Sequence, residues 1–161
     1  MITSILSSLE TAWLIFLVVM FSWHESDRPN YYHALLLAME VGLMGVYMAQ
    51  DYFLFYIMWE VTLIPMFFMI SWYGGPRRHY SAIKFFVYTH VASVIMLIGI
   101  FAVVFQTQIG AEYVSFAFSA VKAGALAAPL TTVFQTFFFG LLFFGFAVKM
   151  PVPPFHTWLP D

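Results

Sequence analysis

Two ionisable residues sit where an ordinary soluble domain would not put them. Glu60 stands near the centre of DYFLFYIMWEVTLIPMFFMISWY, Asp51 to Tyr73, and Lys149 closes the apolar run Leu130 to Lys149 just before the proline cluster MPVPP. A charged side chain at the centre of a membrane helix costs about 2.5–3.5 kcal/mol on insertion scales, so such residues face protein or water and mark routes for protons or ions. The competing reading makes Glu60 a protonated acid that bonds a neighbouring helix and lets Lys149 snorkel to the interface. The prolines weigh against it. Pro65 follows Glu60 closely and removes one backbone hydrogen bond, and Pro151, Pro153 and Pro154 break the helix after Lys149. In lipid, unwound backbone is tolerated only against protein or a cavity, and broken transporter helices bind or pass ions at such points.

The elements that must position these residues are helices long enough to cross a bilayer. At about 1.5 Å per residue, Tyr52 to Tyr73 reaches roughly 33 Å, against a hydrocarbon core of about 30 Å. A first helix has its apolar part at Ala12 to Trp23 and borrows Ile5 to Thr11 to cross; without a basic n-region it reads as a span, not a cleaved signal. The polar turn HESDRPN leads to a second helix, His33 to Gln50, with Glu40 inside and Gly42 and Gly45 permitting close helix approach. The third is the Glu60 span. A fourth, Ser81 to Gln106, carries Lys84 one turn in and His90 near three turns in. The polar segment Thr107 to Ala128 follows, with a short surface helix near Ser119. The fifth, Leu130 to Lys149, breaks at the prolines, and the residues FHTWLPD suggest a further half-helix beyond them.

Composition sets the class. Charged residues are 9% and hydrophobic residues 63% of the 161 residues, whereas soluble domains carry about 25% charged residues. The expected fold class is all-α, a polytopic transmembrane helix bundle of about five spans forming a single transmembrane domain over 1–161. A net charge of −2 with no basic cluster excludes nucleic acid as a partner. The absence of cysteine excludes disulfides, cysteine-held iron–sulfur clusters and thioether-attached haem within this sequence. No phosphate loop, nucleophile elbow or metal-ligand spacing occurs. His33 and His90 are poorly matched as haem ligands, since one starts its span and the other lies well inside. Basic residues of the short loops, Arg28, Arg77 and Arg78 against Lys122 alone, place the N-terminus outside.

The stretches QDYFLFYIMWEVTLIPMFFMISWYGG, IKFFVYTHVASVIMLIGI and FAVKMPVPPFHTWLPD resemble the antiporter-like membrane subunit (subunit M, chain 4) of proton-pumping NADH:quinone oxidoreductase, respiratory complex I. The resemblance implies a bundle of about fourteen helices with inverted repeats, of which this chain matches the third to seventh. It implies a proton-translocating half-channel in which Glu60 pairs with Lys149, with Lys84 and His156 on the same polar axis; Glu40 and His90 fall outside that pattern. It also implies no cofactor in this chain, flavin, iron–sulfur clusters and quinone on other subunits, and membrane subunits of a complex I-like assembly as partners. The membrane would be a bacterial or archaeal cell membrane or an organelle inner membrane. With the first two family helices and the second half-channel absent, the chain is expected to be a fragment, an incompletely represented subunit or one half of a split one.

The expected mechanism follows from magnitude. A carboxylate about 4 Å from an ammonium contributes about 4 kcal/mol at an effective dielectric near 20, so the separation of such a pair decides whether the amine holds its proton. The alternatives are a subunit of a multisubunit cation/proton antiporter, of a membrane-bound hydrogenase or another complex I-like dehydrogenase, and a scaffold whose charges only staple helices.

Overall fold

The computed structural model describes residues 2–24 and 27–159; Glu25 and Ser26 of the polar turn, and Pro160 and Asp161 of the last motif, lie outside them. The described residues form helices α1 (Ile2–Phe21), α2 (Pro29–Met48), α3 (Tyr52–Val61), α4 (Leu63–Tyr73), α5 (Arg78–Thr107), α6 (Phe118–Ala127) and α7 (Thr132–Lys149), with no strand among them. Four stretches are long and apolar enough to cross a membrane: Thr3–Phe21, Tyr52–Tyr73, Arg78–Thr107 and Thr132–Lys149. The second helix is of spanning length, but Pro29, Asn30, His33 and Glu40 dilute its hydropathy and keep it out of that set.

Several boundaries differ from expectation for local reasons. The second helix begins at Pro29, not His33, because proline at the first helical position lacks only an N–H that would have no partner there. The Glu60 span is interrupted at Thr62, which divides it into α3 and α4. The expected half-helix beyond Lys149 does not form: residues 150–158 run through successive turns, since Pro151, Pro153 and Pro154 cannot donate to a helical ladder. The short helix near Ser119 is present as α6.

Contacts divide the chain into two compact units. The first runs through Ala49 and takes in Leu54–Phe86; the second holds Gln50–Phe53 and the described residues from Val87 onward. In the first, α2 packs against α1 and α4. The approach to the Glu60 helix is close because glycine allows it: a Cβ on Gly42 would lie 2.7 Å from Thr62 Cγ2, and one on Gly45 would collide with the Met58 side chain. In the second, Asp51 caps α3 by accepting from Phe53 N at 2.8 Å. Tyr52 N donates to Phe116 O at 3.0 Å and Phe118 N to Gln50 O at 3.1 Å, fastening the segment before α6. The Gln108 side chain clamps Ser115, donating to its carbonyl at 2.7 Å and accepting from its N–H at 2.8 Å.

Burial is uneven in the way a membrane protein requires. In the most apolar window of α5, 44% of residues are buried, against 11–17% in the other spans. Its buried residues recur at helical spacing, from Ser81, Ala82 and Phe85 through Thr89, Ala92, Ser93 and Met96 to Ile100 and Val104. Elsewhere large apolar side chains point outward, Trp13 and Val133 among them, which suits hydrocarbon and not water. Gly45→Val should therefore lower the thermal stability of the detergent-solubilised protein by about 1–3 kcal/mol, the usual penalty of overpacking. Gly75→Ala should leave it unchanged, since nothing lies within 4 Å of the added carbon. Circular dichroism melts compare the two.

Candidate functional site

Glu60 occupies the last turn of α3. In an unbroken helix the Val61 carbonyl would accept from residue 65, but Pro65 has no N–H, and the helix is interrupted at Thr62. The interruption is slight: Thr62 keeps helical angles, φ −66° and ψ −22°, and its hydroxyl donates to Trp59 O at 2.7 Å. Met58 and Thr62, one turn apart, face the glycines of α2. Glu60 lies two residues from each and so projects from the opposite side of the helix. There it shares a face with Tyr56, whose hydroxyl hydrogen-bonds the Glu60 carboxylate. Glu60 is half-buried, with one carboxylate oxygen fully enclosed.

Glu40 is half-buried on α2, two residues before Gly42 and therefore off the glycine face. Lys84, also half-buried, holds its ammonium 6.0 Å from the centroid of the Tyr80 ring, one turn back on α5. These three residues belong to the first unit. Lys149, His90 and His156 belong to the second.

Around Lys149 each backbone group can be followed. Met150 N donates to Phe146 O at 2.8 Å, continuing the ladder. Pro151 has no N–H for the Ala147 carbonyl, so Val152 N reaches back to it at 2.9 Å. That diverts the donor Val148 O would have had, and the Trp158 indole N–H takes its place at 2.9 Å. The turn segment is held from a second side by Phe155, whose ring packs edge-on against Phe144 with centroids 5.1 Å apart. His156 is exposed on this segment.

The register between α5 and α7 gives Lys149 its surroundings. A Cβ on Gly99 would lie 3.0 Å from Leu141 Cβ, and one on Gly145 would lie 2.6 Å from Met96 Cβ, so the two helices run antiparallel and close. One further turn brings Lys149, on the same face as Gly145, level with Ala92. Beside Ala92 on the buried face of α5 are Thr89 and Ser93, 2% and 1% exposed. His90, half-buried, lies on the same turn of α5. These two hydroxyl residues were not singled out from the sequence, although their four-residue spacing was visible there. Tyr56 and Trp158 were also missed; the first is marked only by its place one turn before Glu60.

Residues 49–161 match the family described as NADH:quinone oxidoreductase/Mrp antiporter, TM. The chain belongs to this family. It is 40% identical over 161 residues to NADH-quinone oxidoreductase subunit M of Rhodobacter capsulatus, covering 98% of this chain and 31% of that protein. It is 39% identical over 153 residues to F(420)H(2) dehydrogenase subunit M of Methanosarcina mazei, covering 89% and 29%. NAD(P)H-quinone oxidoreductase chain 4 1 of Synechococcus sp. (strain JA-3-3Ab) is 38% identical over 145 residues, covering 90% and 26%. The chain thus spans less than a third of the length of these curated relatives. As a member of the NADH:quinone oxidoreductase/Mrp antiporter family with four apolar spanning stretches, it is an integral membrane protein.

Trp158→Phe keeps an aromatic side chain but replaces the indole by a smaller phenyl ring without the N–H, leaving the buried Val148 carbonyl without that donor. The expected loss is about 1–3 kcal/mol, read as a lower midpoint in circular dichroism melts of the solubilised protein. An unchanged midpoint would mean that water replaces the indole.

Proposed function

We propose that the chain forms a proton half-channel in the membrane arm of a complex I-type NADH:quinone oxidoreductase. In this reading it is a subunit that carries no redox group itself, embedded among other membrane subunits. Flavin, iron–sulfur clusters and quinone belong to partner chains. Glu60 and Lys149 are the central acid and amine, Lys84 and His156 the relay, and Glu40 and His90 auxiliary members. The observation that carries the reading is that Glu60 and Lys149, each ionisable and each in a spanning stretch, lie next to a break in regular helix, Glu60 two residues before Thr62 and Lys149 last in α7. Interrupted backbone at membrane depth needs protein groups or water to complete it, and ordered water at such a break supplies a path for protons.

An amine held out of water gives up its proton readily, and a nearby carboxylate stabilises the charged form. A change in separation between acid and amine, driven by the redox arm, would load and unload the lysine. The hydroxyls of Thr89 and Ser93 and ordered water would pass the proton on. Glu60→Gln in the assembled complex should abolish most proton pumping, followed by dye quenching in inverted vesicles. Retained pumping with normal assembly would refute the role of the acid.

The relatives named as quinone oxidoreductase and F(420)H(2) dehydrogenase subunits favour an oxidoreductase. The family description also covers Mrp antiporters, which supports a second reading as a subunit of a multisubunit cation/proton antiporter. Flavin and iron–sulfur absorbance in the purified native assembly separates the two, because the antiporter would have neither.

The same proposal places the N-terminus outside a bacterial, archaeal or organelle inner membrane, with Arg28, Arg77 and Arg78 on the inner side. The sequence has no cysteine, so single cysteines report topology directly. A membrane-impermeant maleimide should label Gly75→Cys only from the inner face and Ala123→Cys only from the outer; the reverse pattern would invert the orientation.

A further inference from the structure

Away from the acid and the lysine, the first unit contains a cavity of about 460 Å³ lined by Arg28, Tyr31 and Trp72. It lies where α2 begins and α4 ends. Arg28 precedes α2 in the left-handed conformation, φ 48° and ψ 56°, a region that a long side chain seldom occupies and that glycine or asparagine would take more easily. Its carbonyl holds it there, accepting from Tyr31 N at 3.0 Å, Tyr32 N at 3.2 Å and the Tyr73 hydroxyl at 2.9 Å. The Arg28 guanidinium itself makes no hydrogen bond or ion pair with the described residues. Arg78 donates to Trp72 O at 2.9 Å and so stands beside the same tryptophan. The Tyr31 and Trp72 rings meet edge-on, centroids 6.0 Å apart, and form a wall of the cavity.

The next residue of α2, Tyr32, lines an apolar groove of about 620 Å³ with Leu14, Leu17, Val18 and Phe21 of α1. A planar cation fork backed by tryptophan and tyrosine at the end of spanning helices matches an anionic headgroup. The adjoining groove matches an acyl chain. We propose that this corner of the protein binds an anionic phospholipid, its phosphodiester held by Arg28 with Arg78 nearby and one acyl chain lying along α1. A non-glycine residue kept at a left-handed position is accounted for by the guanidinium it supplies. Asp27 precedes Arg28 in the sequence, so anion selectivity depends on the two arginines together.

The test uses the native membrane assembly and a phosphatidylglycerol analogue with a photoactivatable headgroup, the labelled peptides being identified by mass spectrometry. Labelling is expected on the peptides carrying Tyr31 or Trp72. It should be displaced by excess phosphatidylglycerol but not by phosphatidylcholine of the same chains or by inorganic phosphate. Arg28→Gly, which relieves the backbone conformation, should reduce labelling by about fivefold or more, the worth of one interfacial cation. It should do so without lowering the thermal stability of the lipid-depleted protein. Arg78→Gln should reduce labelling less. Displacement by phosphatidylcholine would reduce the site to a greasy groove, and displacement by inorganic phosphate would make it a soluble-anion site. Unchanged labelling in Arg28→Gly would also overturn the proposal. The competition arms need no variant and decide the matter even where a substitution impairs assembly.

Discussion

The constraint on which this structure depends is that a backbone group in hydrocarbon must find its partner inside the protein. Most of the chain meets it with unbroken helix. At two places proline makes that impossible, and there the chain supplies substitutes. After Lys149 the substitute comes from ten residues away, where the Trp158 indole bonds the Val148 carbonyl after Val152 has been drawn to Ala147. At Thr62 the regular helix is interrupted for a single residue while the backbone keeps helical angles. Glu60 stands two residues before the first of these places and Lys149 closes its helix at the second.

Close packing confines the irregularity. Glycines bring α2 against Met58 and Thr62, and in the other unit they bring α7 against Met96 of α5. At these contacts the helices cannot slide without collision. Glu60 projects from the side of its helix away from the glycine contact, and Lys149 lies one turn beyond Gly145. The close contacts thus fix the helices that carry the two polar side chains.

Much of this was legible in the sequence because hydrophobicity and proline act locally. The spanning runs, the disturbance near Pro65, the end of the last helix at Lys149 and the close approach at Gly42 and Gly45 follow from residue type and spacing. What escaped depends on partners distant in sequence. No periodicity shows that Trp158 serves Val148, or that the Tyr73 hydroxyl pins Arg28 in a left-handed turn. The half-helix expected after the prolines failed for a related reason: the apolar and polar residues of FHTWLPD suit a helix, but the Val152 N–H and the Trp158 indole are drawn back to carbonyls at the end of α7. Thr89 and Ser93 were overlooked because hydroxyls in a spanning helix are ordinary until a neighbouring helix brings a lysine level with them.

The two interruptions differ in how much they let the chain do. At Thr62 the backbone stays helical in its angles, so the stretch from Tyr52 to Tyr73 remains one span. After Lys149 the path of the chain is held by the Val152 N–H on the Ala147 carbonyl, by turn hydrogen bonds within the segment, by the Trp158 indole on Val148 and by Phe155 on Phe144. The turn that carries Trp158 also carries His156. A shift of that turn would therefore move the histidine and alter the helix end at Lys149 together.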